Sequence, residues 1–332
     1  MRKIRSVFVG VASPVNAWLV LGVALLAVAG PPGHASTPNA GAKSGKLKVF
    51  ILAGQSNMQG AGIIAADKKR NDGKGSLEYL VRDRSTAKRF AHLVDRKGEW
   101  TARDDVWIWY FDRVGELSVG FGARAHQIGP ELQFGHVIGD HYDEQVLLIK
   151  IAWGGKSLAV DFRPPSAGGE VCPFYQQMIE HVRDVLANLK THFPAYDGKG
   201  YELVGFGWHQ GWNDRINQAF NDAYETNLAH FIRDVRKEFE IDKLPFVIAE
   251  TGMSGHEEKH PRALSLMDAQ AAVAKRKEFR GNVAFVGTRD YYRPPEESPS
   301  RQGYHWNSNA ETYFLISEGM GQAMIELIDT KK

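Results

Sequence analysis

The apolar positions of the chain fall into five short runs separated by longer amphipathic segments. These runs are rich in β-branched and aromatic residues, as buried strands are. They cover residues 47–53, 146–152, 201–208, 245–250 and 283–287. The first reads LKVFILA and passes directly into the turn-forming sequence GQSN at residues 54–57. It therefore predicts a strand, buried on both faces, that ends in a turn.

Segments with apolar residues at three- and four-residue spacing lie between and after the strands, and this spacing predicts amphipathic helices. They cover residues 173–192, 217–239, 262–279 and 310–328, and the helix-start sequence GPE predicts a further helix at residues 129–142. Strands that alternate with helices predict a parallel sheet with helices on both faces. We therefore predict an α/β fold, a three-layer α/β/α sandwich with a five-stranded parallel sheet, in one domain from residue 46 to residue 332.

Residues 57–125 interrupt this alternation because they are too long for a simple strand-to-helix connection. The segment has a charged middle and the aromatic sequence WIWYF at residues 107–111, which favours a strand or hairpin. Since it begins beside Ser56, we predict an insertion that forms a wall or lid over the site. The alternative is an edge hairpin that contacts no ligand.

The first 35 residues have the pattern of an export signal. Basic residues at positions 2, 3 and 5 precede an apolar stretch at residues 18–30, and small residues flank position 34. We predict a signal peptide at residues 1–35, a linker at residues 36–45 and a secreted or periplasmic protein. An uncleaved membrane anchor is the alternative, but a spanning helix needs about 20 apolar residues. No integral membrane segment is expected after signal removal.

Composition narrows the class of partner. The 332 residues are 43% hydrophobic, which supports a sizeable core, and the net charge is +2. Such a balance gives no electrostatic reason to expect a nucleic acid or an anionic membrane as partner. The single cysteine, Cys172, cannot form an internal disulfide, and we assign it no chemistry.

Four chemically useful groups follow predicted strands or precede the last helix. Ser56 follows the first strand, Gly154 and Gly155 follow the second, Gln210 follows the third, and His305 precedes the last helix. Ligands of open α/β sheets bind beyond the carboxyl ends of the strands, where these residues are expected to converge. A serine nucleophile needs a general base, and acyl transfer needs hydrogen-bond donors for its oxyanion.

The sequences GQSNM, WGGKSL and WHQG, together with the late histidine, resemble the SGNH hydrolases, which have a flavodoxin-like fold. The resemblance covers residues 46–328 and is to the sialate O-acetylesterase and acetylxylan esterase branch, carbohydrate esterase family six. It implies a serine esterase that removes O-acetyl groups from an acetylated polysaccharide or sialic acid through an acetyl-serine intermediate. It implies no cofactor and no metal.

This resemblance makes Ser56 the nucleophile and His305 its base. It makes the backbone N–H groups of Ser56 and of Gly154 or Gly155, and the side chain of Gln210, the oxyanion donors.

The catalytic acid departs from the family pattern. The position three residues before the histidine, usually Asp, is Gln302, and the position after the WHQG glycine, often Glu, is Trp212. Asp214 is the candidate acid and Glu250 the substitute. A serine–histidine dyad, with Gln302 or a backbone carbonyl orienting the ring, is a third possibility. Asp214 also suits a cap for the helix that follows.

Further residues have two interpretations. Trp153, Trp306 and Asn307 are candidates for a sugar subsite, since aromatic faces suit sugar rings, although core residues have the same pattern. His209 is interpreted as a packed or rim residue. Residues 256–260 match the zinc motif HExxH, but Pro261 follows directly and predicts a loop before a helix start.

Two rival functions remain at the sequence level. One is a lipase or thioesterase of the wider group. The other is a glycan-binding protein that kept the fold after losing turnover, which the missing acids suggest.

Overall fold

The structure is a computed structural model that describes residues 45–330. The predicted signal peptide, and the predicted linker apart from Gly45, lie outside the described residues. Within the described residues, no helix combines the length and the apolar character needed to cross a bilayer.

The elements follow one another along the chain in a largely alternating order. They are β1 (Leu47–Gly54), α1 (Ser56–Gln59), β2 (Gly62–Ile63), α2 (Leu77–Arg82), α3 (Ala87–Phe90), β3 (Arg103–Tyr110), β4 (Arg113–Leu117), β5 (Gln127–Ile128), α4 (Glu131–His141), β6 (Val146–Ala152), α5 (Pro173–Ala187), α6 (Leu189–His192), β7 (Tyr201–His209), α7 (Gln218–Glu238), β8 (Phe246–Ala249), α8 (Pro261–Lys275), β9 (Val283–Val286) and α9 (Ala310–Asp329). The predicted helices are confirmed, except that the segment at residues 173–192 divides at Asn188 and α8 ends before residue 279.

The main sheet has seven strands in the order β4-β3-β6-β1-β7-β8-β9. All neighbouring pairs are parallel except β3 and β4, which form an antiparallel hairpin. The five predicted strands are β1, β6, β7, β8 and β9, so the predicted parallel sheet is confirmed, but the predicted strand number is too low. The two additional strands come from the insertion at residues 57–125.

The β3–β4 hairpin joins the sheet because the aromatic run has two apolar faces. Trp107 and Trp109 pack into the core on one side of the sheet, and Val106 and Ile108 pack into the core on the other. β3 pairs with β6, and this position in the sheet buries the apolar side chains on both of its faces. The predicted strand or hairpin is therefore confirmed as an edge of the main sheet.

Helices cover both faces of the sheet and complete the three-layer sandwich. Helices α5, α7 and α8 bury their apolar sides against one face of the sheet. Helices α4 and α9 do so against the other. The helical part of the insertion packs on α9, where the ring of Phe90 lies 4.5 Å from the ring of Phe314.

Candidate active site

The carboxyl ends of three central strands lie side by side. Gly54, the last residue of β1, pairs with Ala152 at the end of β6 and with His209 at the end of β7. Gly54 has a φ of +154°, and a Cβ there would lie 2.2 Å from the carbonyl oxygen of His209. Only glycine allows this close approach, which delivers Ser56 to the edge where the three strands end.

The buried side chain of Gln55 fixes the turn that carries Ser56. Its Oε1 accepts hydrogen bonds from the backbone N–H groups of Gly211 (3.0 Å) and Asn213 (3.3 Å). Its Nε2 donates to Oδ1 of Asn213 (3.2 Å). The start of α1, at Ser56, is therefore held against the segment that follows β7.

Asn57 connects the same turn to the segment that carries His305. The side-chain amide of Asn57 donates to the carbonyl oxygen of Tyr304 (3.2 Å). The hydroxyl of Tyr313, on α9, donates to Oδ1 of Asn57 (2.9 Å) and lies 3.5 Å from the carbonyl oxygen of His305. Ser56 and His305 thus lie at the same edge of the sheet, and their immediate neighbours are hydrogen bonded.

The backbone after His305 takes an uncommon path. Trp306, Asn307 and Ser308 have φ values of 51°, 54° and 57°, which place three consecutive residues in the left-handed region. Trp306 is fully buried in the core, and Asn307 donates a hydrogen bond to the carbonyl oxygen of Arg293 (3.0 Å). The prediction that Trp306 and Asn307 contact a sugar is corrected, because this turn directs both side chains inward.

Trp153 is the third predicted sugar contact, and it is only partly buried. Its ring packs against those of Phe111 and Phe174, with centroids 5.4 Å and 5.2 Å away. It immediately precedes Gly154, so this aromatic cluster borders the residues next to Ser56.

The backbone N–H groups of Ser56 and of two nearby glycines have no described acceptor. Gly154 and Gly155 are exposed, and a Cβ on Gly154 would lie 3.8 Å from Cβ of Ser56. Within residues 45–330, the N–H groups of Ser56, Gly154 and Gly155 donate to no protein acceptor. The predicted oxyanion donors require N–H groups that are not already paired.

Gln210 occupies a different position from the one predicted. Its side chain is fully buried, and its Nε2 donates to the carbonyl oxygen of Lys156 (3.0 Å) and to Oδ2 of Asp214 (2.6 Å). Both amide hydrogens are used in this way, so Gln210 braces the loop after β6 and has no donor left for a ligand.

Asn213, which sequence reasoning did not single out, carries a side-chain amide at this strand end. Its Nδ2 donates one hydrogen to the carbonyl oxygen of Gly155 (2.7 Å), and within the described part of the chain the other hydrogen has no acceptor. Asn213 is partly exposed at the same strand end. Its place two residues after the WHQG glycine was the available signal, but that position alone does not distinguish it from Gln210.

Asp214, the candidate acid, is buried and holds the loop after β6. Its two carboxylate oxygens accept hydrogen bonds from the backbone N–H groups of Leu158 and Ala159, each at 2.8 Å, and from Gln210. Burial raises the pKa of Asp214 to about 6, although these hydrogen bonds oppose the shift. Its hydrogen bonds with described residues do not include His305. Asn217, and not Asp214, caps helix α7.

Glu250, the substitute acid, is also occupied elsewhere. It forms an ion pair with Arg289 (2.9 Å) and accepts a hydrogen bond from the backbone N–H of Thr288 (2.8 Å).

The imidazole of His305 is half-buried and has no hydrogen bond to a carboxylate among residues 45–330. Burial lowers the pKa of His305, which favours the neutral, basic form.

The sequence offers two other histidine-containing features, His209 and the HExxH segment at residues 256–260. His209 is fully buried, and burial lowers its pKa to about 4, so it is neutral at physiological pH. The HExxH segment forms a short 3₁₀ turn at Gly255–Glu257, and His260 caps α8, which begins at Pro261. Across residues 45–330, no group of three or more His, Cys, Asp or Glu side chains is arranged to hold a metal ion.

The fold and this site define a class, a three-layer α/β/α protein with a serine and a histidine at the carboxyl edge of its sheet. A family model described as "Carbohydrate esterase, sialic acid-specific acetylesterase" matches residues 46–314. The chain belongs to this carbohydrate esterase family. In the comparison with curated proteins, no sequence matches the chain.

Solved structures with TM-scores above 0.5 share the fold. A protein from Arabidopsis thaliana superimposes with a TM-score of 0.54 at 16% identity, covering 85% of this chain and 98% of that one. NanS superimposes with a TM-score of 0.53 at 13% identity, covering 84% of this chain and 97% of that one. A carbohydrate acetylesterase from Xanthomonas citri gives a TM-score of 0.48 at 14% identity, covering 82% and 56% of the two chains.

Proposed function

We propose that this protein is a serine esterase that removes O-acetyl groups from carbohydrate through an acetyl-serine intermediate. The observation that carries the proposal is the setting of Ser56. The backbone N–H groups of Ser56, Gly154 and Gly155 have no described acceptor, Gly154 lies beside Ser56, and the neighbouring Asn57 donates a hydrogen bond to Tyr304, next to His305. Membership in a carbohydrate esterase family supports the same reaction.

In the proposed reaction, neutral His305 removes the hydroxyl proton of Ser56 as Oγ attacks the acetyl carbonyl carbon. The carbonyl oxygen becomes an oxyanion and accepts hydrogen bonds from the backbone N–H groups of Ser56 and Gly154 or Gly155. The free amide hydrogen of Asn213 replaces the donor first predicted from Gln210. His305 then protonates the departing sugar oxygen, and a water molecule activated by His305 hydrolyses the acetyl-serine to acetate.

We propose a serine–histidine dyad for this chain. The carboxylates of Asp214 and Glu250 are both occupied by other partners, which favours this alternative over a triad. A base without a carboxylate partner is less well oriented and its imidazolium is less stabilised. Turnover slower than that of a complete triad is therefore expected.

Hydrolysis of p-nitrophenyl acetate and acetate release from O-acetylated sugars test the proposal. Ser56→Ala is expected to abolish both, whereas Ser85→Ala, a control at an exposed position, leaves both unchanged. Sugar binding without turnover in the unmodified protein would instead identify a glycan-binding protein. Faster hydrolysis of long-chain esters than of acetyl esters would identify a lipase or thioesterase.

We also propose that the protein is exported, because residues 1–35 have the signal pattern. Amino-terminal sequencing of the mature protein from its native host is expected to begin close after Ala35. A mature chain that retains residues 18–30 would contradict cleavage and support the anchor.

A further inference from the structure

The side chain of Gln59 borders the gap between Ser56 and Gly154. Gln59 is the last residue of helix α1 and lies three positions after Ser56. Side chains three positions apart lie on the same face of a helical turn and lean toward its amino end. A Cβ on Gly154 would lie 3.0 Å from Oε1 of Gln59 and 3.8 Å from Cβ of Ser56. The two side chains therefore flank one point beside the proposed nucleophile.

The amide of Gln59 is held in place by Tyr110, the last residue of β3. Nε2 of Gln59 donates a hydrogen bond to the hydroxyl of Tyr110 (3.1 Å), which is a buried residue. The ring of Tyr110 contacts two cations, with the guanidinium carbon of Arg113 4.7 Å and Nζ of Lys150 4.6 Å from its centroid. Such cation–π contacts stabilise the ring in its place. The Gln59 amide is therefore bonded to a residue that is itself fixed.

The backbone of Gln59 is fixed as well. Its carbonyl oxygen accepts a hydrogen bond from Nζ of Lys150 (2.7 Å), and Lys150 is fully buried and paired with Glu131. A side chain that is held at its backbone and at its amide resists displacement, because moving it breaks hydrogen bonds at both places. Gln59 thus forms a rigid wall on one side of the gap.

The amide oxygen of Gln59 adds a polar reason against an apolar occupant of the gap. Oε1 accepts no hydrogen bond from another residue of the described chain, and it is open to solvent, which leaves water as its donor. An apolar chain placed over this oxygen would remove the water without replacing the hydrogen bond, which is unfavourable.

The proposed reaction directs the acyl group toward this gap. In the tetrahedral intermediate, the acyl chain and the oxyanion are bonded to the same carbon, and the proposed donors to the oxyanion are backbone N–H groups of Ser56 and of Gly154 or Gly155. The sugar oxygen leaves on the side of His305, which protonates it. The acyl chain is the remaining substituent, and it therefore lies on the side of Gly154 and Gln59.

We propose that Gln59 determines the length of the acyl group, because it closes the gap beside Ser56 to chains longer than acetyl. This inference rests on the proposed esterase function and adds to it the residue that sets acyl specificity. The nucleophile, the base and the oxyanion donors contact atoms that every ester has, so they do not distinguish one acyl length from another. A longer chain would have to displace Gln59 and break its hydrogen bond to Tyr110.

The test compares p-nitrophenyl acetate with p-nitrophenyl butyrate, which share a leaving group and differ only in acyl length. The unmodified protein is expected to show a kcat/KM for the acetate about tenfold or more above that for the butyrate. Gln59→Ala is expected to lower this ratio about tenfold, mainly by raising kcat/KM for the butyrate. A loss of folded protein alone would lower both rates together and leave the ratio unchanged.

The matched control is Gln145→Ala. Gln145 is also partly buried, and its amide donates to the carbonyl oxygen of Asp104 (3.1 Å), but it precedes β6 and so lies at the opposite edge of the sheet from Ser56. This variant is expected to preserve the ratio of the unmodified protein.

Two further variants separate the wall from other roles of Gln59. Gln59→Glu has nearly the same shape and is expected to keep the ratio while lowering both rates, because a negative charge beside the oxyanion donors disfavours the oxyanion. Tyr110→Phe removes the hydroxyl that holds the amide and is expected to lower the ratio part of the way. It serves as the second variant if Gln59→Ala does not fold. An unchanged ratio in folded Gln59→Ala or in Tyr110→Phe, or an equal loss of the ratio in Gln59→Glu, would overturn the proposal.

This inference and the esterase proposal fail in different ways. If the unmodified protein hydrolysed neither ester, the proposed esterase function would fail and the role of Gln59 would fail with it. If the unmodified protein hydrolysed both esters equally well, the esterase function would stand and the limit on acyl length would fail. Preference for the acetate that is lost in Gln59→Ala and kept in Gln145→Ala would support both proposals.

Discussion

The side-chain amide of Asn57 donates a hydrogen bond of 3.2 Å to the carbonyl oxygen of Tyr304, across 247 positions of the chain. Asn57 directly follows Ser56, and Tyr304 directly precedes His305. The contact therefore links the residue that follows the proposed nucleophile to the residue that precedes the proposed base. The hydroxyl of Tyr313, on α9, donates a hydrogen bond to the same Asn57 side chain.

Asn57→Ala is expected to lower kcat about 10- to 100-fold with a smaller change in KM, because misplacing the base affects the reacting geometry more than binding. Asn188→Ala, at an exposed helix end, is the matched control. Steady-state hydrolysis of p-nitrophenyl acetate measures both parameters. An effect on KM alone would argue against a positioning role for Asn57.

Gly154→Ala tests the space beside Ser56. The added Cβ would lie 3.0 Å from Oε1 of Gln59 and 3.8 Å from Cβ of Ser56. We expect kcat/KM to fall about tenfold or more while the free energy of unfolding changes by less than about 1 kcal/mol, since the position is exposed. Gly115→Ala, on β4 with open space around it, is the control. Full activity in Gly154→Ala would place the oxyanion elsewhere.

The pH dependence of kcat/KM reports the pKa of the proposed base, His305, in the free enzyme. Burial lowers the pKa of His305 below its usual 6.5, and only the neutral imidazole can accept the proton of Ser56. Activity is therefore expected to be lost as the pH falls through a value below 6.5. Rate measurements on an acetyl ester between pH 4 and pH 8 give the midpoint, and a midpoint above 6.5 would indicate a carboxylate partner for His305.

Asp214→Asn separates a structural role from a catalytic one. An asparagine places an N–H group where Leu158 or Ala159 needs an acceptor, so we expect a loss of about 1–3 kcal/mol in the free energy of unfolding. Because Asp214 does not contact His305, the acid limb of the kcat/KM profile is expected to stay in place. A shift of that limb would restore Asp214 as the catalytic acid.

The pH dependence of stability gives a second measurement on Asp214. Its pKa is raised from 3.8 to about 6 by burial, so the folded state binds the proton more tightly than the unfolded state does. The contribution of this group to stability is full below pH 3.8 and is lost as the pH rises through about 6. Asp214→Asn is expected to remove that dependence in urea unfolding series, and an unchanged dependence would exclude Asp214 as its source.

The buried ion pair of Lys150 and Glu131 is hydrogen bonded to the end of helix α1, which begins at Ser56. Nζ of Lys150 donates to Oε2 of Glu131 (2.6 Å) and to the carbonyl oxygen of Gln59 (2.7 Å) at the end of α1. Lys150→Met is expected to cost about 3–5 kcal/mol in the free energy of unfolding, because it leaves a buried carboxylate unpaired. The double variant with Glu131→Gln is expected to recover part of this loss. A double variant that is less stable than Lys150→Met would show that the charge of Glu131 is compensated elsewhere.

Most of the sheet was predictable because its central strands are continuous apolar runs. β1 and β6 are buried on both faces, and this burial requires the sequences LKVFILA and VLLIKIA to be almost wholly apolar. The hairpin of β3 and β4 was harder to place. Its aromatic residues indicate a strand, but pairing with β6 depends on contacts between residues about 40 positions apart.

The candidate site was predictable at the level of strand ends and less so at the level of side-chain direction. The residues next to Ser56 and His305, Asn57 and Tyr304, are hydrogen bonded, as their places beside regular elements led us to expect. Which amide points outward, that of Gln210 or that of Asn213, depends on the backbone path after β7. The inward course of Trp306 likewise results from left-handed dihedral angles that non-glycine residues rarely adopt and that local sequence does not reveal.

The link between Asn57 and Tyr304 has a consequence for the timing of biosynthesis. A nascent chain that has left the ribosome as far as residue 300 contains the proposed nucleophile Ser56 and all seven strands of the main sheet, but it lacks the proposed base His305. On the proposed mechanism, ester cleavage therefore cannot begin during most of translation. The appearance of activity in a pulse of synthesis would mark the moment at which the Ser56 and His305 segments first come together.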